Sequence, residues 1–211
     1  VFDDVWKNWW LHDKLTMFDQ LLHYAQTNYL DLFGLAIGLI YLYLEFTAKK
    51  SMWIASIIMA VLYIYIFYQS QLYAMSIVYC YFFMASIHGW LKWNEHTTVT
   101  ILRMPQHQIG RVSFFIFAAC ILIYLLLKGF TINDEEITMG DTIATALSVV
   151  AIWMAAKFWA EQWCLLIPAN LMTAILLLNQ GDYASSTLFM IYFIVSIFGL
   201  RHWIHLANQS Q

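Results

Sequence analysis

Long apolar runs separated by short polar stretches dominate the chain. Seven of them, at 30–46, 52–68, 73–90, 112–130, 141–158, 163–178 and 183–200, carry few charges. At about 1.5 Å of rise per residue, such runs cross about 30 Å of hydrocarbon, some with help from snorkelling flanks. Backbone groups cannot stay unpaired in lipid, and the alternating pattern of a membrane barrel is absent, so the runs predict helices. Residues 1–28 read differently. Leu15, Phe18, Leu21, Leu22 and Ala25 recur at helical spacing among Asp3, Asp4, Asp13 and Asp19. With Trp6, Trp9 and Trp10 as anchors, this predicts an amphipathic helix lying on the interface, and the stretch lacks the apolar core of a signal peptide.

The run at 73–93 recurs at 183–203. Slid by 110 positions, the two match at Tyr73/Tyr183, Ala74/Ala184, Ser76/Ser186, Phe83/Phe193, Ser86/Ser196, Ile87/Ile197, Gly89/Gly199 and Trp93/Trp203, 8 identities in 21 without a gap. Gly, Trp, Tyr and Ser are not matches that an apolar composition supplies by chance. The same offset pairs Asp31 with Asp141, Ala36 with Ala146, Trp53 with Trp163 and Ile57 with Ile167. The predicted fold is therefore an all-α integral membrane protein with seven transmembrane helices, three, then one, then three. Its parts are the interfacial segment 1–28, a first three-helix repeat 29–95, a linker region with the fourth helix 96–137, and a second repeat 138–211. One linking helix restores the side of entry, so the two repeats run parallel.

Composition agrees. The chain is 62% hydrophobic and 11% charged, against about 45–50% and about 25% for soluble domains. A net charge of −3 with no basic block excludes nucleic acid as a natural partner. Cys80, Cys120 and Cys164 lie inside apolar runs without metal-ligand spacing, and are expected to be buried, reduced packing residues. Lys49, Lys50, Lys92, Arg103, Arg111, Lys157 and Arg201 fall on one side of the membrane, and Lys7, Lys14 and Lys128 on the other. The richer side is expected to be cytoplasmic, with the N-terminus outside and the C-terminus inside.

Several side chains are candidates for chemistry. Trp53, Trp90, Trp93, Trp163 and Trp203 fall near the cytoplasmic ends, where an aromatic belt is the ordinary reading. Pairing of Trp53 with Trp163 and Trp93 with Trp203 adds a structural role kept by both repeats. Asn170 lies near mid-depth of the sixth helix, two residues after Pro168, where the first repeat has Ala60 and Ile58. A polar side chain beside a proline that frees a backbone carbonyl points to a transport site, and an interhelical hydrogen bond is the plainer reading. Tyr63, Tyr79, Tyr81 and Tyr192 lie at similar depth and offer flat faces and hydroxyls, or simply core packing. His88, His96, His107, His202 and His205 raise a membrane metalloenzyme, but only His202 and His205 share a helix face and no carboxylate joins them. A retinal protein needs a lysine deep in the last helix, and residues 187–200 contain none.

The closing Gly89-Trp90-Leu91-Lys92-Trp93, the string Glu161-Gln162-Trp163 followed by Asn170, and the three-one-three order resemble the PnuC family of vitamin-precursor transporters, over roughly 30–205. The resemblance implies a SWEET-like fold, a homotrimer, and facilitated diffusion of nicotinamide riboside across a bacterial inner membrane. A cytoplasmic kinase then traps the substrate by phosphorylation. It also implies Trp163, Asn170, Trp90 and Trp93 at the substrate, to which the residues themselves add Tyr63, Tyr79 and Tyr192. Leu166 and Tyr79 stand where many members have Trp and Gln, so thiamine and riboflavin remain alternative cargoes. Membrane lipid is the other expected partner. No catalytic residue, metal or cofactor is expected, and with Asp31, Glu45, Asp141 and Lys157 all near helix ends, coupling to an ion gradient is not expected either.

Overall fold

A computed structural model describes residues 29–69, 73–94, 100–130, 139–181 and 183–209. The interfacial helix expected at 1–28 lies outside the described residues. The described chain is helical: α1 Tyr29–Phe46, α2 Met52–Gln69, α3 Tyr73–Asn94, α4 Ile109–Phe130, α5 Met139–Ala156, α6 Gln162–Asn179 and α7 Tyr183–Gln209. It divides into two compact units, Val1–Ile37 and Gly38–Gln211. Of the first, residues 29–37 are described, and they are helical. The second holds the rest of α1 and all the later helices.

Among the described residues, six helices are long and apolar enough to cross a membrane, and Phe33–Phe46 is a shorter apolar helix. The chain is thus an all-α membrane protein. In the second unit α2 packs on α3, α6 on α7, and α5 on α3, α4 and α6. Large apolar side chains such as Phe114, Phe117 and Leu125 on α4 stay uncovered by protein, as lipid-facing residues do. Cys80 and Cys164 share that fate. Both were expected in the core and both are exposed, because an apolar residue in a membrane helix has two apolar environments to choose from.

Among the helix ends that differ from expectation, two show why. α7 runs on to Gln209 because residues 201–209 contain neither Gly nor Pro to stop it. α5 stops at Ala156, because Phe158 takes a left-handed φ of 64°. Ala48, 110 residues earlier, does the same after α1 with a φ of 51°. Each end closes identically. Lys49 N–H donates to Leu44 C=O and Ala48 N–H to Glu45 C=O, while Trp159 N–H donates to Met154 C=O and Phe158 N–H to Ala155 C=O. This is the Schellman closure, built on Ala and Phe where Gly is usual.

A candidate transport site among tyrosines, tryptophans and Asn170

Trp53, Trp93, Trp163 and Trp203 are all completely buried. They form one cluster, with ring centroids 5.7 Å apart for Trp53 and Trp93, 6.2 Å for Trp93 and Trp203, and 5.8 Å for Trp163 and Trp203. An aromatic belt at headgroup level does not describe them, since a belt faces lipid. Trp53 lies flat against Gly89 and Trp163 against Gly199. A Cβ on those glycines would stand 2.5 Å and 2.8 Å from the indole carbons. Only a residue without a side chain lets a rigid ring come so close. Trp93 also stacks on Phe158 at 4.9 Å, and Trp90 packs half-buried against the cluster.

The hydrogen bonds of the cluster cross over. Trp93 Nε1 donates to the carbonyl of Ala155 at 3.1 Å, and Trp203 Nε1 donates to that of Glu45 at 3.0 Å. Ala155 and Glu45 are themselves 110 residues apart, so each tryptophan ties down a helix end in the other half. Both carbonyls also accept a backbone N–H of the closing turn, from Phe158 and Ala48, so the indole N–H is a second donor to each.

Tyrosines gather beside this scaffold. Tyr63 and Tyr79 lie 5.0 Å apart, with Phe67 5.3 Å and Phe82 5.3 Å from Tyr79. Tyr192 packs against the tryptophan cluster and stands within electrostatic reach of Tyr63 and Tyr79. Its hydroxyl fills the space that a Cβ on Gly38 would need. Tyr81 goes elsewhere, donating from an exposed position to the carbonyl of Val149 at 3.0 Å.

Asn170 is buried, and its Nδ2 donates to Ser196 Oγ at 3.0 Å. Ser196 Oγ in turn donates to the carbonyl of Tyr192 at 2.6 Å. The interhelical bond considered from sequence is therefore present, and it links Asn170 to the backbone that carries Tyr192. In the first half Ser86 makes the matching bond to the carbonyl of Phe82, but meets Ser56 at 2.6 Å. The position matching Asn170 is Ala60, buried and mute. Pro168 sits on the exposed face of α6, which runs past it as one helix rather than breaking there.

Sequence reasoning passed over two groups. Glu45 lies close to a helix end, yet it is buried, with Tyr41 one turn earlier bonded to its carboxylate. The available signal was an acid in an apolar run, four residues after a tyrosine. Gln162 is fully buried, and neither its amide oxygen nor its nitrogen has a hydrogen-bond partner. The position matching it is Met52, also fully buried. The two histidines that shared a helix face are engaged separately, His202 stacked on Phe46 and His205 bonded to Gln209.

Comparison with known proteins fits a transporter. The profile of the nicotinamide mononucleotide transporter family matches residues 28–205. The nicotinamide riboside transporters PnuC of Escherichia coli (strain K12) and of Shigella flexneri are each 25% identical, over 86% of this chain and 87% of theirs. The crystal structure of the vitamin B3 transporter PnuC superposes with a TM-score of 0.74 over 93% of this chain and 89% of that one, at 16% identity, so the likeness is one of fold. An all-helical membrane protein whose buried tryptophans support half-buried tyrosines and a buried amide, and which that profile matches along most of its length, this chain belongs to the nicotinamide mononucleotide transporter family.

Proposed function

We propose that this protein carries nicotinamide riboside across the bacterial cytoplasmic membrane by facilitated diffusion. The names attached to its relatives differ by one phosphate, a mononucleotide in the family and a riboside in the curated transporters. Glu45 supports the riboside. It is a buried carboxylate within electrostatic reach of Tyr192, and no Lys or Arg among the described residues pairs with it. A phosphate brought there loses its water with no guanidinium or ammonium to hold it, which is costly. A nucleoside without phosphate meets no such penalty.

In this reading Tyr63, Tyr79 and Tyr192 stack on the ring and bond the ribose, and Asn170 bonds the carboxamide or a ribose hydroxyl. Trp90, Trp93 and Trp163 hold the frame around them. The three-one-three arrangement of two parallel repeats, 29–95 and 138–211 around a linker region at 96–137, is supported by contacts that recur 110 residues apart. Alternating access is then a rocking of one repeat against the other. The distribution of Lys and Arg supports an outside N-terminus and a cytoplasmic C-terminus, and the family resemblance supports a homotrimer and trapping by a cytoplasmic kinase. Passive transport is supported by the position of ionisable groups. Asp141 lies in the first turn of α5, away from the helix centre.

Proteoliposomes containing the protein should equilibrate labelled nicotinamide riboside without any ion gradient. Unlabelled riboside should compete, and the mononucleotide, thiamine and riboflavin should compete far less. Uptake that appears only with an imposed proton gradient overturns the passive mechanism, and preference for another competitor overturns the cargo.

A further inference from the structure

We propose that the Glu45 carboxylate is the counter-charge that makes this site select a positively charged aromatic ring. The inference rests on the nicotinamide riboside reading, whose pyridinium nitrogen bears a fixed positive charge, and it extends that reading to a residue and a selection rule.

Among the described residues, Glu45 is the only charged side chain that is buried. Taking a carboxylate out of water costs several kcal/mol unless a charged partner offsets it. No cation does so here. The Arg103–Glu161 pair lies elsewhere, and Lys49 sits over the ring of Tyr43. The ionisable groups in reach of Glu45 are Tyr41, which hydrogen-bonds it, and Tyr192. Until a cation arrives, the carboxyl avoids that cost by holding a proton, and a bound cation favours its charged form.

The duplication separates what Glu45 does for the fold from what its side chain adds. Its backbone carbonyl accepts Trp203 Nε1, and Ala155 does the same for Trp93. Ala155 performs that task with a methyl group. Tyr41 likewise has buried Ala151 as its counterpart. The scaffold therefore needs neither the carboxylate nor the Tyr41 hydroxyl, and both occur in one half only. Glu45, Tyr41 and Gly38 lie four and three residues apart, hence on one face of α1. Tyr192 meets that face at Gly38 and is in reach of Tyr63 and Tyr79. A carboxylate beside several electron-rich rings is the arrangement that recognises an aromatic cation, through charge at one edge and cation–π attraction over the faces.

The test compares two ligands of nearly the same shape. Nicotinamide riboside is a cation, and its reduced dihydro form is neutral. Calorimetric binding to the purified full-length protein should favour the cation by about tenfold or more, the scale of a shielded charge pair. Glu45→Gln should abolish that preference by weakening the cation while changing the neutral form less than about twofold, and Glu45→Asp should keep part of it. Equal binding of both forms by the unaltered protein overturns the proposal without needing any variant. So does a Glu45→Gln protein that retains the preference, or that loses both forms alike. In those cases the riboside reading survives, whereas failure of the unaltered protein to bind the cation at all removes both.

Discussion

Trp203 Nε1 donates to the backbone carbonyl of Glu45 across 158 residues of chain, and Trp93 returns the arrangement to Ala155. Each bond adds a second donor to a carbonyl in the last turn of a helix that is closed, two residues on, by a left-handed residue, Ala48 or Phe158. Trp203 also reaches the carbonyl of Phe46 at 3.2 Å. The two halves are thus cross-linked where each chain turns back.

Replacing Trp203 by Phe keeps much of the ring and removes the donor. The Glu45 and Ala155 carbonyls keep their bonds from Ala48 and Phe158, so losing the indole bond costs about 0.5–1.5 kcal/mol. Trp203→Phe should therefore unfold at lower temperature in detergent, and Trp93→Phe should do so by a similar amount. A melting temperature unchanged in both would show that the crossed bonds contribute nothing.

The glycines beneath Trp53 and Trp163 make a sharper case. Gly89→Ala and Gly199→Ala each drive a methyl into an indole that has no room to retreat, an overpacking of about 1–3 kcal/mol. Gly110→Ala meets nothing within 4 Å and sits in a helix, so it should be neutral or stabilising by up to about 1 kcal/mol. Thermal melts of the three variants decide it. Equal melts would mean that the indoles slide aside.

These contacts explain what was legible beforehand. Gly89/Gly199, Trp93/Trp203 and Ser86/Ser196 stand out as identities at the 110-residue offset, and all three pairs hold helices together. Helix positions were readable because lipid leaves the backbone no other choice. Identical residues in two halves report the scaffold, and that is why Trp93 and Trp163 appear inside it. Glu45 was not legible from position, since a residue next to a helix end reads as solvated until the covering helices are known. The exposed Cys80 and Cys164 were misjudged for the complementary reason. Apolar surroundings in sequence do not say whether protein or lipid provides them.

Gln162 breaks the rule that buried amides are bonded. Both of its polar atoms lack partners, while Met52 fills the matching position. Gln162→Met is close in volume and removes two unsatisfied groups, so it should stabilise the protein by about 1–3 kcal/mol. A higher melting temperature with unchanged uptake is the expected outcome. A higher melting temperature with lost uptake would instead mark the amide as part of the transport cycle.

Asn170 poses the question of scaffold against substrate most directly, because its Nδ2 bond to Ser196 is already made. Ser196→Ala removes that partner and leaves the amide in place, whereas Asn170→Ala removes the amide itself. Interhelical bonds in membranes contribute about 0.5–2 kcal/mol, so both variants should melt lower by comparable amounts. If Asn170 also contacts nicotinamide riboside, the two should part in affinity. Asn170→Ala should weaken binding by about 1–3 kcal/mol, the cost of a lost buried hydrogen bond, and Ser196→Ala by less than about 0.5 kcal/mol. Parallel calorimetry on the two proteins settles the role. Equal affinities would leave Asn170 as a helix clamp and move the substrate's polar contacts to the tyrosines.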